Sequence, residues 1–266
     1  MKKAFLVLAA TVICGAFLFT SCNKEKDLNV SEKIVGKWMP ADLDGTPVVT
    51  DKKSVYTFVS DTKVYMSVSI NPQQGEESVW NEQKELDVAI NGNTMILTNH
   101  SDEQTTMVEE FSFSAINGSE FTANHKITVT VDGAVILHNE GVIRFVKLTA
   151  DYSEAIHGLW ECTELTGIET YNDANARLEF FDDGNYNYWR KNDNNEWEAV
   201  TDREFQNYFV DGTLLATRWK NIGEDELREW WEIATLANGE MQWTALRQNA
   251  DGTTAQQGMR WSKVNE

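Results

Sequence analysis

Apolar and polar residues alternate with a period of two through most of the chain. Phe111, Phe113 and Ala115 alternate with Ser112 and Ser114, and Ala123, His125, Ile127, Val129 and Val131 alternate with Asn124, Lys126, Thr128 and Thr130. On a strand this spacing sends the two sets to opposite faces, so these runs predict half-buried β-strands. Turn pairs punctuate them: Asp44-Gly45, Asn91-Gly92, Asn117-Gly118 and Asp132-Gly133, then Asp183-Gly184, Asp211-Gly212, Asn238-Gly239 and Asp251-Gly252. Asn-Gly and Asp-Gly supply the positive φ that tight hairpins require. Apart from the N-terminal run, no helical period exceeds two turns. About eight short antiparallel strands in each half of the chain, joined by hairpins, predict an all-β fold of up-and-down barrels, with an open sandwich as the alternative. Closure removes unpaired edges, and a barrel of this strand number can hold one small ligand.

The halves are copies of one another. Ile34-Val35-Gly36-Lys37-Trp38 recurs as Ile156-His157-Gly158-Leu159-Trp160, and Val55 to Asp61 faces Arg177 to Asp183 at the same shift of 122. Trp80-Asn81-Glu82 finds Trp197-Glu198-Ala199, Val88 to Thr94 finds Tyr208 to Thr213, and Phe121-Thr122-Ala123 finds Trp243-Thr244-Ala245. Both copies close on Arg, aromatic, any, Lys, apolar: Arg144 to Leu148 and Arg260 to Val264. Matches in one order at nearly one shift identify two homologous domains, 31–150 and 153–266. Glu224 to Trp231 (EDELREWW) resembles a helix start, but its place opposite Met107 to Phe113 makes it a predicted strand.

The N-terminus is read as an address. Lys2 and Lys3 precede an uncharged run from Ala4 to Phe19, which is too short for a firm transmembrane helix. It ends in Phe19-Thr20-Ser21-Cys22, which resembles the lipobox of bacterial lipoproteins. The resemblance implies a signal peptide over 1–21, lipidation of Cys22 and a polar tether over 22–30. An ordinary secretion signal or a helical anchor is the alternative. Acyl chains on Cys22 would anchor the chain to a membrane without spanning it. Asn23 after the Cys, in place of the Asp that resembles an inner-membrane retention signal, favours the outer membrane. Neither the periplasmic nor the cell-surface leaflet is indicated.

Lys and Arg number 23 against 42 Asp and Glu, a net charge of −19, which argues against nucleic acid as a partner. Cys14 falls in the signal and Cys22 carries lipid, so Cys162 is left as a buried, inert thiol. No chemistry stands out. His100, His125, His138 and His157 are scattered, and no His-x-x-x-His, Cys-x-x-Cys or Gly-x-Ser-x-Gly occurs. Carboxylate pairs such as Glu109-Glu110 read as solvated positions, and Asp182-Asp183-Gly184-Asn185 reads as a turn rather than a calcium loop. The expectation is a non-enzyme with no catalytic residues, no metal and no cofactor.

Gly36-Lys37-Trp38 and Gly158-Leu159-Trp160 each open a first strand, and Arg144 and Arg260 lie on the last. The arrangement resembles the lipocalin-like superfamily, in particular the lipocalin-like domains of Gram-negative envelope lipoproteins. That resemblance implies two tandem up-and-down barrels of about eight strands. In each, a Gly-x-Trp would pack against an Arg of the final strand and close the barrel end by a cation–π contact. Gly36, Trp38, Arg144, Gly158, Trp160 and Arg260 are therefore expected to be structural.

Tryptophan is unevenly spread. Domain two holds Trp160, Trp189, Trp197, Trp219, Trp230, Trp231, Trp243 and Trp261, whereas domain one holds Trp38 and Trp80. Trp230 and Trp231 are adjacent, so one must point outward. Indoles near Arg190, Arg203, Arg218 and Arg228 can form a cup for a small amphiphile or glycan, the arginines receiving an anionic head group. Trp189, Trp219 and Trp230 are the expected mouth residues, with Arg218 and Arg228 orienting polar groups. The alternative is a filled pair of barrels serving as a protein-interaction adaptor in an envelope complex.

Overall fold

The computed structural model describes residues 27–70, 79–100, 104–168 and 175–264. The expected signal peptide, Cys22 and tether residues 23–26 lie outside them. The first half begins with a helical turn, α1 (Val30–Lys33), followed by β1 (Gly36–Leu43), β2 (Thr46–Pro47), β3 (Tyr56–Ser60), β4 (Lys63–Ile70) and β5 (Val79–Asn91). It continues with β6 (Thr94–His100), β7 (Thr105–Ile116), β8 (Glu120–Val131) and β9 (Ala134–Leu148). The second half contains β10 (Gly158–Thr166), β11 (Ala176–Phe180), β12 (Tyr186–Lys191), β13 (Trp197–Ala199) and β14 (Arg203–Asp211). It closes with β15 (Leu214–Asn221), β16 (Glu226–Ala237), β17 (Glu240–Gln248) and β18 (Thr254–Lys263). The ambiguous Glu224–Trp231 run is therefore strand from Glu226 onward.

The chain is two antiparallel barrels in tandem. In the first, β1 pairs with both β3 and β9, so eight strands close, with β2 a short addition at the end of β1. In the second, β10 pairs with β18 and the order runs β13-β12-β11-β10-β18-β17-β16-β15-β14. Here β13 and β14 form the two edges. A single bridge, Asn185 to Asn207, and the bond from Tyr208 N to Gly184 O (2.8 Å) draw the curled sheet together at one end of the seam. The hairpins use the predicted turn chemistry: Asp132-Gly133 and Asn238-Gly239 both take positive φ at each position, as a two-residue turn requires.

The same plug closes one end of each barrel, and it corrects the expected role of the arginines. Trp38 and Trp160 are buried, and each indole Nε1 donates to the carbonyl four residues earlier, Ile34 O and Ile156 O. The cation over Trp38 is Lys147 (5.2 Å), directly across the ladder from it, and that over Trp160 is Lys263 (5.3 Å). Gly36 and Gly158 hold φ of +127° and +111°, with the lysine stems lying against them; a Cβ at Gly36 would fall 2.5 Å from Lys147 Cε. Arg144 and Arg260 face outward instead. Arg144 Nε donates to Asp42 (2.6 Å), and Arg260 Nε lies 3.3 Å from Glu164, each pair directly opposite across a bulge. Strand parity gives the reason. Phe145 and Trp261 point into the cores, so the residue before each must point out.

Two further expectations change. Leu28 and Val30, assigned to the tether, pack on the core of the first barrel, and Leu28 N donates to Asn93 Oδ1 (3.0 Å). The ladders also place Phe121 opposite Phe145, and Met241 opposite Trp261. Met241, not Trp243, is therefore the counterpart of Phe121, and Ala245 rather than Arg247 stands where His125 does.

That difference separates the interiors. The core of the first barrel packs Trp38, Phe58, Phe111, Phe121 and Phe145, with Phe121 stacked on Phe145 at 4.7 Å. Above this layer lies a polar trio. Glu109, 4% exposed, accepts from Tyr56 Oη (3.1 Å) and lies 2.9 Å from His125 Nε2, and the imidazole stacks on Phe111. Burial, then the Glu109 charge, pushes the Tyr56 phenol well above its ordinary value. In the second barrel Leu178 and Ala245 occupy the Tyr56 and His125 positions, and Glu229 the Glu109 position. The polar trio is therefore not repeated, and Trp231, Trp243 and Trp261 stand at the positions of Phe111, Ala123 and Phe145.

Candidate binding site

A cavity of about 400 Å³ lies inside the second barrel. Its lower wall is Cys162, Leu178, Tyr186, Trp231, Trp243 and Trp261, and its upper wall includes Leu165, Tyr188, Thr217, Trp219 and Met259. Arg203, Glu229, Gln257 and Asn175 supply the polar positions. On three strands the inward residues follow from alternation: Thr217 and Trp219 on β15, Glu229 and Trp231 on β16, Tyr186 and Tyr188 on β12. Trp243 lies 4.7 Å from Trp261 and 5.9 Å from Trp231, a continuous aromatic surface.

The polar groups of this wall are mostly donors. Trp231 Nε1 reaches Glu229 Oε2 (3.2 Å), and the Arg247 guanidinium lies 4.8 Å from the Trp231 ring. Nε1 of Trp243, Nε1 of Trp261 and Nε of Arg203 are buried with no hydrogen-bond partner. A buried donor without an acceptor costs about 1–3 kcal/mol. Burial raises the Tyr186 phenol, while the Arg203 charge works the other way.

Cys162 in the wall is a neutral thiol, because burial lifts it from 9.0 to about 11. The folded value lies above the unfolded one, so its contribution to stability is complete below pH 9.0 and is lost as pH rises toward 11. Denaturant titrations from pH 8 to 11 are expected to fall less steeply for Cys162→Ala than for the wild type; parallel curves would contradict this.

Of the five residues expected to bind ligand, the structure brings only Trp219 to the cavity. Trp189 alternates with Tyr188 and so faces outward, opposite Arg177 and Ala199. Arg218, Arg228 and Trp230 also face outward, toward the first barrel. Arg218 and Arg228 are directly paired across β15 and β16, and both guanidinium groups lie over Trp80, at 4.9 and 5.3 Å. Arg228 also donates to Val79 O (3.1 Å) and Glu226 (2.6 Å). Burial, with Arg228 alongside, lowers the Arg218 pKa, and Glu226 offsets this. Trp230 packs with Met39, Val55, Leu148 and Leu214.

These side chains therefore belong to the contact between barrels. Trp80 meets Phe209 edge-on at 5.1 Å. Lys37 Nζ donates to both Asp151 (2.6 Å) and Asp211 (2.7 Å), and Lys53 Nζ to Glu232 (2.8 Å). Burial disfavours the Lys37 ammonium, but its two carboxylates outweigh it and raise the pKa. Arg203, named in the sequence only among arginines suited to an anionic head group, lines the cavity; the lining residues not singled out as ligand contacts, Tyr188, Glu229, Trp231, Trp243 and Trp261, carried one usable signal. Trp231 and Ile233 alternate inward on one strand, which fixes Glu229 on the same face.

No family model matches the chain, and no curated protein is detectably similar to it. Among solved structures, similarity reaches a double mutant of the vaccine antigen transferrin binding protein B from Haemophilus parasuis. It is 10% identical with a TM-score of 0.24, over 80% of this chain and 54% of that one. This chain thus spans about half the length of that protein, and at such a TM-score the likeness bears on neither fold nor function. Among the described residues, no group of three or more His, Cys, Asp or Glu is placed to hold a metal ion.

Proposed function

We propose that the chain is a non-catalytic binding lipoprotein of the Gram-negative outer membrane, anchored through Cys22, which holds one small amphiphile or glycan inside its second lipocalin-like barrel. The observation that carries the binding reading is the aromatic cavity of about 400 Å³. Ligand pockets run from ~300 to ~1,000 Å³, mostly apolar with a few convergent polar groups, and this one matches in size and chemistry. The domains 31–150 and 153–266 then divide the work. The first barrel, with its aromatic core, serves as support, and the second carries the ligand. Lipidation rests on the lipobox resemblance alone.

The test fills the cavity. Thr217 is buried in its wall beside Trp219, so Thr217→Phe places a ring in the ligand space. Tryptophan fluorescence of the wild type should respond saturably to at least one member of a panel of medium-chain amphiphiles and saccharides. Thr217→Phe, folded by near-ultraviolet circular dichroism, should lose that response at least tenfold. A response unchanged by the substitution would refute the cavity as the site. A protein-docking role draws on a different feature, the exposed apolar tip of β9 at Val135 and Ile136 (61% and 64% exposed). Retention of an envelope protein through purification, with an empty cavity, would favour it.

A further inference from the structure

We infer that the ligand is a monoanionic amphiphile, with a carboxylate on Arg203 at the cavity mouth and an apolar body against Trp219, Trp231 and Trp243. This rests on the reading of the cavity as a ligand site.

The inference begins with how Arg203 enters the cavity. On β14, Phe205 faces outward under Arg218, 4.9 Å from its guanidinium. A strand with unbroken alternation would send Arg203 to the same outer face. The pairing of β14 with β15 slips between Arg203 and Phe205, and this bulge turns Arg203 inward. Bulges recur beside functional sites because they re-aim a side chain in this way.

Once inside, the guanidinium is positioned but not neutralised. It lies 4.9 Å from the Tyr188 ring and 5.4 Å from the Trp219 ring, Nη1 donates to Gln206 (2.8 Å), and the Tyr186 hydroxyl also meets it. Among the described residues no carboxylate lies within ion-pair distance of it, and its Nε is buried without a partner. The one acid of the cavity lining, Glu229, is engaged by Trp231 Nε1 and by the charge of Arg247. In a chain of net charge −19, a cation turned into a cavity without a carboxylate in contact leaves an open place for one. With Nη1 given to Gln206 and Nε buried, Nη2 is the part of the guanidinium left to make a charge-assisted hydrogen bond to a carboxylate.

The rest of the wall sets the body of the ligand. Cys162, Leu178, Trp243 and Met259 offer contact area and few hydrogen-bonding groups along its depth. A saccharide needs partners for hydroxyls along its whole length, whereas an acyl or aromatic body needs none.

The test compares dodecanoate, dodecanol and octyl glucoside by isothermal titration calorimetry, below their micellar concentrations, on the full chain stripped of bound small molecules. Dodecanoate should bind at least about tenfold more tightly than dodecanol, the usual weight of a charge-assisted hydrogen bond. Arg203→Gln should bring dodecanoate down to the level of dodecanol and leave dodecanol unchanged, and Arg203→Lys should restore part of the difference. An unaltered near-ultraviolet circular dichroism spectrum shows that the variants are folded. Equal affinity for acid and alcohol, or equal weakening of both by Arg203→Gln, overturns the acid-head assignment and leaves the cavity site standing. Octyl glucoside binding alone does the same, in favour of a glycan. Binding of none of the three overturns this inference and the cavity reading together.

Discussion

Trp160→Ala is expected to lower the stability of the second barrel by about 3–5 kcal/mol, the cost of removing a fully buried indole from a core. Trp160 is 1% exposed, and its Nε1 is the donor for Ile156 O at 2.6 Å. Deletion leaves a cavity at the closed end, strips the carbonyl of its partner and frees Lys263 from the ring it covers. Trp160→Phe separates these losses. It keeps most of the volume and removes the donor, so it should cost about 1–3 kcal/mol. Trp38→Ala should act alike on the first barrel. Urea denaturation followed by tryptophan fluorescence measures both. A loss under about 1 kcal/mol at either position would contradict the plug.

Trp80→Ala should uncouple the two barrels. Its indole is the platform on which Arg218 and Arg228 rest side by side, and it is the first barrel's contact with Phe209. Without it, two guanidinium groups paired directly across a ladder face each other with Glu226 as shared counter-ion, at 3.8 Å from Arg218 and 2.6 Å from Arg228. Like charges directly opposite on a sheet destabilise it. Buried aromatic anchors of this kind contribute about 2 kcal/mol or more to an interface. The expected result is a single calorimetric transition in the wild type and two in Trp80→Ala, with ligand affinity little changed because the cavity lies on the other face of β15 and β16. One transition in both proteins would show that Lys37, Lys53 and the Trp230 cluster suffice.

Much of the fold is legible in the chain because it is governed by a period of two. Alternation of Phe111, Phe113 and Ala115 fixes a face, Asp132-Gly133 and Asn238-Gly239 fix hairpins, and the repeated Gly-x-Trp fixes where each barrel begins. The resemblance assigns the cation of the plug to Arg144, although strand parity argues for Lys147, which shares its face with Phe145. What alternation does not reveal is where it slips. The bulge at Arg203 and Phe205 reverses one side chain, and no residue type at that point announces it. Nor does the chain reveal which outer face is covered. Arg218, Arg228 and Trp230 have the composition of a ligand mouth, but the neighbouring barrel supplies Trp80, Val55 and Met39 to occupy them. The aromatic wealth of the second half therefore divides between a cavity and an interface, and only the inward parity of Trp219, Trp231 and Trp243 distinguishes the first from the second.

The most direct measurement of the central claim is mass spectrometry of solvent extracts from the protein purified out of its native envelope, beside Thr217→Phe prepared in the same way. The cavity predicts one small molecule at close to equal stoichiometry in the wild-type extract and its loss in the variant. An empty wild-type extract, or a molecule retained equally by both proteins, would contradict it.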